Sequence, residues 1–221
     1  MISEVQELAS MSELLSSVVL GNGRDKWKWL GDSSGIFSVK SAKDFLVRGR
    51  GGPNGFVFDW CKWVPPKCNI FAWRLELNRL PTYDALLSRG IVHLGSACPL
   101  CGCEDESVTH LFISCRFADL IWLKVSRWCR VPPIFAFSGR DLLELHKFSR
   151  LGSSERLAFH GIVITTCWCI WLARNKAVFS ASRPNVETVF SEIRALGFFW
   201  FKNRSRFQSI GWRDWCKFVI M

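Results

Sequence analysis

The chain has 221 residues, 49% of them hydrophobic and 22% charged, which supplies a core for one large or two small domains and excludes a disordered chain. Its 29 Lys and Arg against 19 Asp and Glu give a net charge of +10, so the expected partner is polyanionic, nucleic acid before a membrane surface. The opening MISEVQELAS lacks the basic start and apolar run of a secretory signal, so the ten cysteines are expected reduced or metal-bound and the location intracellular, nuclear or cytoplasmic.

Residues 1–20 read as an amphipathic helix, with Val5, Leu8, Met11, Leu14, Leu15 and Val18 at helical spacing. Trp27 and Trp29 then alternate with Lys26 and Lys28, Gly31 to Gly35 make a turn, and Ile36 to Val39 return, so a β-hairpin is expected. Ser41 and Asp44 form a capping box for a short helix. The stretch RGRGGPNG at 48–55 is a loop and a domain boundary. Pro65-Pro66 starts a helix whose apolar face holds Ile70, Phe71, Trp73, Leu75 and Leu77. Pro81 ends it, and Thr82 caps a short helix closed by Gly90.

A helix from Arg116 to Trp128 follows the cysteine-rich segment, with Phe117, Leu120, Ile121 and Leu123 inward, and Val131-Pro132-Pro133 ends it. Asp141 to Phe148 is a short helix. Ser153 or Ser154 caps a long one reaching Phe179, and Asn185 caps a last one to Lys202. The most apolar run, 157–173, includes His160, Thr165 and Thr166 and reads as a buried helix rather than a membrane span. The tail from 201 carries five Lys and Arg against one Asp, among aromatics.

The most informative stretch is CPLCGCEDESVTHLFISC at 98–115. Cys98, Cys101, His110 and Cys115 follow the pattern C-x₂-C-x₈-H-x₄-C, a Cys₃His set suited to a closed, structural Zn²⁺ site. Gly102 offers a turn over the metal, and His110 and Cys115 would approach it from the start of a helix and the turn after it. Cys103 could exchange with Cys101. The remaining cysteines read as buried thiols, and Cys167 and Cys169 point to different helix faces.

Several runs in order resemble the zinc-binding region of plant LINE-type (non-LTR) retrotransposon reverse transcriptases. They are D-K-W-K-W…D-S-S-G-I-F-S-V-K-S-A at 25–42, W-V-P-P-K-C-N-I-F-A-W-R-L-E-L-N-R-L-P-T at 63–82, R-G-I at 89–91, the cysteine-rich segment itself and I-W-L-A-R-N-K-A-V-F at 170–179. The resemblance implies that Cys98, Cys101, His110 and Cys115 bind zinc and that the chain handles template RNA or target DNA. The polymerase's Y/F-x-D-D motif is absent and no RNase H carboxylate set is recognisable, so no enzymatic activity is expected.

The expected fold is mainly α with a small N-terminal β-hairpin, an α+β arrangement in which a Cys₃His zinc module staples a helical domain. Residues 1–50 lead in, 56–130 form the zinc-binding domain and 131–221 a helical extension. Expected partners are RNA or DNA, with no small-molecule substrate and no membrane. Candidate nucleic-acid contacts are Lys26, Lys28, Arg74, Arg79, Arg127, Arg130, Lys202, Arg204 and Arg206. The competing readings are a protein-interaction scaffold and a degenerate retroelement fragment. The acidic run Glu104-Asp105-Glu106 lacks the partners that general acid–base catalysis requires and would repel phosphate.

Overall fold

The computed structural model describes residues 4–16, 27–42, 45, 58–91, 95–180 and 183–220. The chain divides into two compact units, residues 1–57 and 58–221.

In the first unit, α1 spans Glu4–Ser16, inside the helix expected over 1–20. The expected β-hairpin does not form among the described residues. Trp29 N–H donates to the Gly35 carbonyl at 2.9 Å and Gly35 N–H to that of Asp32 at 3.1 Å, so the glycine–serine stretch does turn. The ladder stops there for two reasons. The Trp29 ring takes the edges of Phe37 and Phe45, at centroid distances of 5.2 and 5.6 Å. Val39 is drawn into a helical turn over 39–42. That turn starts three residues before the expected cap: Ser38 Oγ accepts from Ser41 N–H and Ser41 Oγ from Ser38 N–H. Asp44 lies outside the described residues.

The second unit is helical. Its elements are α2 Pro66–Glu76, α3 Tyr83–Leu87, a π-helical turn His110–Ser114, α4 Arg116–Cys129, α5 Gly139–Phe148, α6 Ser153–Ser180, α7 Val186–Arg204 and α8 Trp212–Cys216. The 28-residue α6 is the spine; α2, α5 and α7 pack along it, and α4 packs on α7. Helix α2 buries Cys68, Phe71, Ala72 and Leu75, a stripe at i, i+3, i+4 and i+7. Ile70, Trp73 and Leu77, expected inward, fall outside that stripe and are exposed, as is Leu120 of α4. Asn185 caps α7 as expected, its Oδ1 accepting from Thr188 N–H at 3.0 Å.

Among the described residues, α6 alone is long and apolar enough to cross a membrane, yet 78% of its most apolar window is buried inside the protein. Its apolarity is the apolarity of a core helix.

The tryptophans explain how so aromatic a core satisfies its polar atoms. Trp63 Nε1–H donates to the Leu157 carbonyl, Trp122 to Phe112, Trp128 to Trp215, and Trp215 to Arg194, at 2.8–3.0 Å. Trp63, Trp128 and Phe201 set their rings against Trp215 at 5.2–6.4 Å. Gly161 of α6 lets Trp63 in: a Cβ there would stand 2.1 Å from Trp63 Cζ2.

That approach decides the sign of a substitution. Helix propensity alone favours Gly→Ala by about 1 kcal/mol. Gly161→Ala is instead expected to destabilise the protein by about 1–3 kcal/mol, because the indole is overpacked. Urea unfolding of the two proteins measures it.

Candidate metal centre

Two short pieces of backbone bring the four candidate ligands together. The first is a tight loop. Cys98 N–H donates to the Glu104 carbonyl at 2.7 Å, Glu106 N–H to that of Ser96 at 2.8 Å, and Ala97 and Asp105 form an antiparallel bridge. Gly102, at φ +69°, turns the chain between them, with its N–H on the Cys98 carbonyl. The second piece is the π-helical turn. Five residues apart in an α-helix, His110 and Cys115 would face about 140° away from each other. The wider turn, closed by Cys115 N–H on the His110 carbonyl at 2.7 Å, brings both side chains round to one side.

Donor atoms of Cys98, Cys101, His110 and Cys115 all lie within 4.8 Å of one another. Cys98 Sγ and Cys115 Sγ are 3.9 Å apart, and Cys101 Sγ is 3.2 Å from His110 Nε2. Sulfurs on a tetrahedral zinc stand about 3.8 Å apart, so the separation fits that ion. The hydrogen bond between the two thiols, more than burial, raises the Cys98 pKa, and the same contact lowers that of Cys115. Phe117 and Ala118 N–H groups at the start of α4 also favour the Cys115 thiolate. Cys103 is exposed, its Sγ turned to the Cys101 carbonyl at 3.2 Å, and stands outside the set.

The acidic run, read from sequence as lacking catalytic partners and repelling phosphate, has structural partners. Glu104 Oε2 is 3.0 Å from His110 Nδ1, which leaves Nε2 facing the sulfurs, the carboxylate–histidine arrangement that orients metal-bound imidazoles. Ser96 Oγ donates to Asp105. Glu106 is buried, its side chain fully covered, and takes a bidentate pair of hydrogen bonds from Arg174 of α6, both 2.7 Å. Its Oε2 also accepts from Tyr83 N–H, where Thr82 was expected to cap. The Arg174 guanidinium lies 5.0 Å from the rings of Tyr83 and Trp171. Sequence reasoning gave Arg174 and Glu106 no role. The signal was present: a lone arginine in a run of apolar helix needs a buried partner.

The other cysteines pack as apolar groups. Cys61, Cys68, Cys129, Cys167 and Cys169 are buried, and burial pushes the Cys61 and Cys68 thiols up to about 12 and about 11.

Asp59, His146 and His160 also gather their donor atoms within 4.8 Å. The two imidazoles stack face to face, 3.9 Å apart at 23°. Their in-plane lone pairs run side by side instead of converging on one point. This is a packed pair, with His146 Nδ1–H on the Leu143 carbonyl and Nε2 beside Asp59. Burial, followed by the neighbouring His146, lowers the His160 pKa to about 4.

Of the candidate nucleic-acid contacts, Lys28, Arg74, Arg79, Arg127, Arg130, Lys202, Arg204 and Arg206 are exposed, and Lys26 lies outside the described residues. Lys28 belongs to the first unit. In the second, the candidates sit on or just past the ends of α2, α4 and α7. Arg204 and Arg206 border one cavity, together with Lys62 and Arg156, which the sequence did not single out.

Residues 37–122 match the family described as zinc-binding in reverse transcriptase. The matched span contains all four candidate ligands. No curated protein and no solved structure matches the chain.

Two outcomes test these groups. Arg174→Met leaves Glu106 charged and buried, and is expected to cost about 3–5 kcal/mol in urea unfolding. Adding Glu106→Gln should recover part of it, because the amide keeps accepting from Tyr83 N–H. The histidine pair sets a pH dependence. The unfolded chain protonates His160 near its ordinary value of 6.5, and the folded chain only near 4. The unfolded state therefore binds more protons between those values, and stability falls as pH falls from about 6.5 to about 4. The full loss is on the order of 3 kcal/mol. His160→Gln should flatten that part of the unfolding profile relative to the unsubstituted protein.

Proposed function

We propose that this chain, which carries a zinc-binding region of the reverse-transcriptase type over residues 37–122, holds RNA or DNA without cutting or copying it. In this reading Cys98, Cys101, His110 and Cys115 hold one structural Zn²⁺, which ties the loop at 96–106 to the start of α4. A zinc ion supplies cohesion there: four protein ligands leave no open position for a reacting water. His110 is oriented by Glu104, and Cys115 is stabilised as a thiolate by the amides of α4. The observation that carries the reading is the convergence of the four donors inside a span that matches a zinc-binding family.

The nucleic-acid half rests on charge. The net charge is +10, and the acidic run at the candidate metal loop draws on one arginine, Arg174, its other partners being His110 and Ser96. The exposed lysines and arginines at the helix ends are free of that loop and suit phosphate contacts. We place the chain with LINE-type, non-LTR elements of plants on the runs at 25–42, 63–82 and 170–179, and in the nucleus or cytoplasm. A protein-interaction scaffold is the second reading, favoured by Phe135 and Phe137, which are 79% and 92% exposed on the segment joining α4 and α5.

Cys98→Ser with Cys101→Ser is expected to remove about one zinc per chain and to lower stability, since structural metal affinity is folding free energy. Metal analysis of the purified variant reads the first and thermal unfolding the second. Affinity for single-stranded RNA or DNA should fall by about two to three orders of magnitude between low and moderate salt for about six phosphate contacts. An affinity indifferent to salt, or no affinity at all, supports the scaffold instead.

A further inference from the structure

A cavity of 610 Å³ opens between the turn that precedes α2, the first turns of α6 and the C-terminal end of α7. Four cations border it: Lys62, Arg156, Arg204 and Arg206. The facing carboxylate is Asp59, which sits 3.2 Å from His146 Nε2. Among the described residues none of the four cations makes an ion pair. Arg156 donates to the Leu151 carbonyl, and Arg206 lies over the Phe207 ring, which fixes their stems and leaves their charge unneutralised.

The same cavity carries an aromatic. Trp60 is 53% exposed, in contrast to Trp63 and Trp215, which are fully buried. Its ring is steadied edge-on by the buried Phe58 at 5.7 Å. An exposed indole beside four cations without ion-pair partners offers a stacking face and positive charge together. An unstacked base over a platform, with its phosphate among arginines, has the complementary chemistry. The volume lies within the roughly 300–1,000 Å³ of ligand clefts. A duplex cannot present a free base face without unstacking, so the fit is to a single strand.

We propose that this cavity is the nucleotide-binding subsite of the protein: one unpaired nucleotide of a single-stranded RNA or DNA stacks its base on Trp60. Arg156, Arg204, Arg206 and Lys62 hold the flanking phosphates. The inference rests on the nucleic-acid reading above and gives it a location apart from the metal loop.

The test uses the full zinc-loaded chain with fluorescein-labelled oligo-uridine, oligo-thymidine and a blunt DNA duplex, measured by anisotropy across a salt series. The variants are Trp60→Ala, Trp60→Phe and Arg156→Ala with Arg204→Ala. All these side chains are exposed, and circular dichroism with zinc content verifies that the fold is kept. Trp60→Ala is expected to weaken single-strand binding about ten-fold or more, with Trp60→Phe restoring most of it. The double arginine variant should weaken it and reduce the salt slope by about 0.7 for each phosphate it no longer neutralises. Both strands should lose affinity alike, and the duplex much less. If the unsubstituted protein binds no nucleic acid, the broader reading fails and takes the subsite with it. If it binds and the variants bind equally well, the subsite alone is overturned. Weaker binding by the arginine variant with none by Trp60→Ala also overturns it, because the site then holds phosphate without a base.

Discussion

The buried pair of Glu106 and Arg174 joins the two halves of the second unit. Glu106 closes the cysteine-rich loop and Arg174 stands toward the C-terminal end of the core helix, with side-chain exposures of 0% and 3%. Neither charge tolerates such burial without the other. The pair therefore sets the position of the loop on α6, and with it the direction from which Cys98 and Cys101 meet His110 and Cys115. Tyr83 N–H on the same carboxylate draws α3 into the arrangement. A single carboxylate thus organises a loop, a short helix and the spine, and the arginine lies between two aromatic rings that replace part of its lost hydration.

The aromatic excess has a related logic. Indoles fill large volumes but each carries one N–H donor that must be satisfied when buried. Here Trp63, Trp122, Trp128 and Trp215 each reach a backbone carbonyl on another element or turn, so each ring also acts as a polar tie. Gly161 and Gly197 make room for two of them, with virtual Cβ positions at 2.1 and 2.9 Å from the Trp63 and Trp215 rings. Glycines inside helices weaken them, and both are retained here at points of close approach. This economy accounts for most of the buried tryptophan. It does not reach the exposed tryptophans, among them Trp60 on a cationic rim.

The convergence of the four candidate ligands was legible because their spacing is chemical: soft donors at short intervals limit the folds that bring them together. Most helices of the second unit were legible too, from caps such as Asn185 and breaks such as Pro65-Pro66. The hairpin was not. Alternation at Trp27 and Trp29 describes a strand only if a partner ladder exists, and the Ser38–Ser41 cap removes Val39 from it by starting a helical turn. The inward assignments of Ile70, Trp73 and Leu77 failed because hydrophobicity alone does not choose among faces of a helix; the stripe at Cys68, Phe71, Ala72 and Leu75 does. Arg174 and Glu106 were missed because they lie 68 residues apart. Their encounter is a property of the packed chain and of no local pattern.

Charge separates the two kinds of chemistry in the molecule. Around the candidate metal ligands Glu106 is neutralised by a guanidinium, whereas Glu104 meets an imidazole and Asp105 a hydroxyl, so the loop keeps acidic character. Cys98 and Cys115 are buried there, and the Phe117 and Ala118 amides face the Cys115 sulfur. Nothing in that arrangement offers a phosphate a place, and a Zn²⁺ held by all four candidate ligands would leave no position for a substrate. The cations that remain without carboxylate partners lie instead at the far ends of helices, where long side chains stay hydrated and a polyanion can exchange its counterions for them. An acidic loop and a cationic rim keep their separate character only if they are held apart. The rigid 28-residue spine, holding Arg174 near one end and Arg156 near the other, keeps that separation.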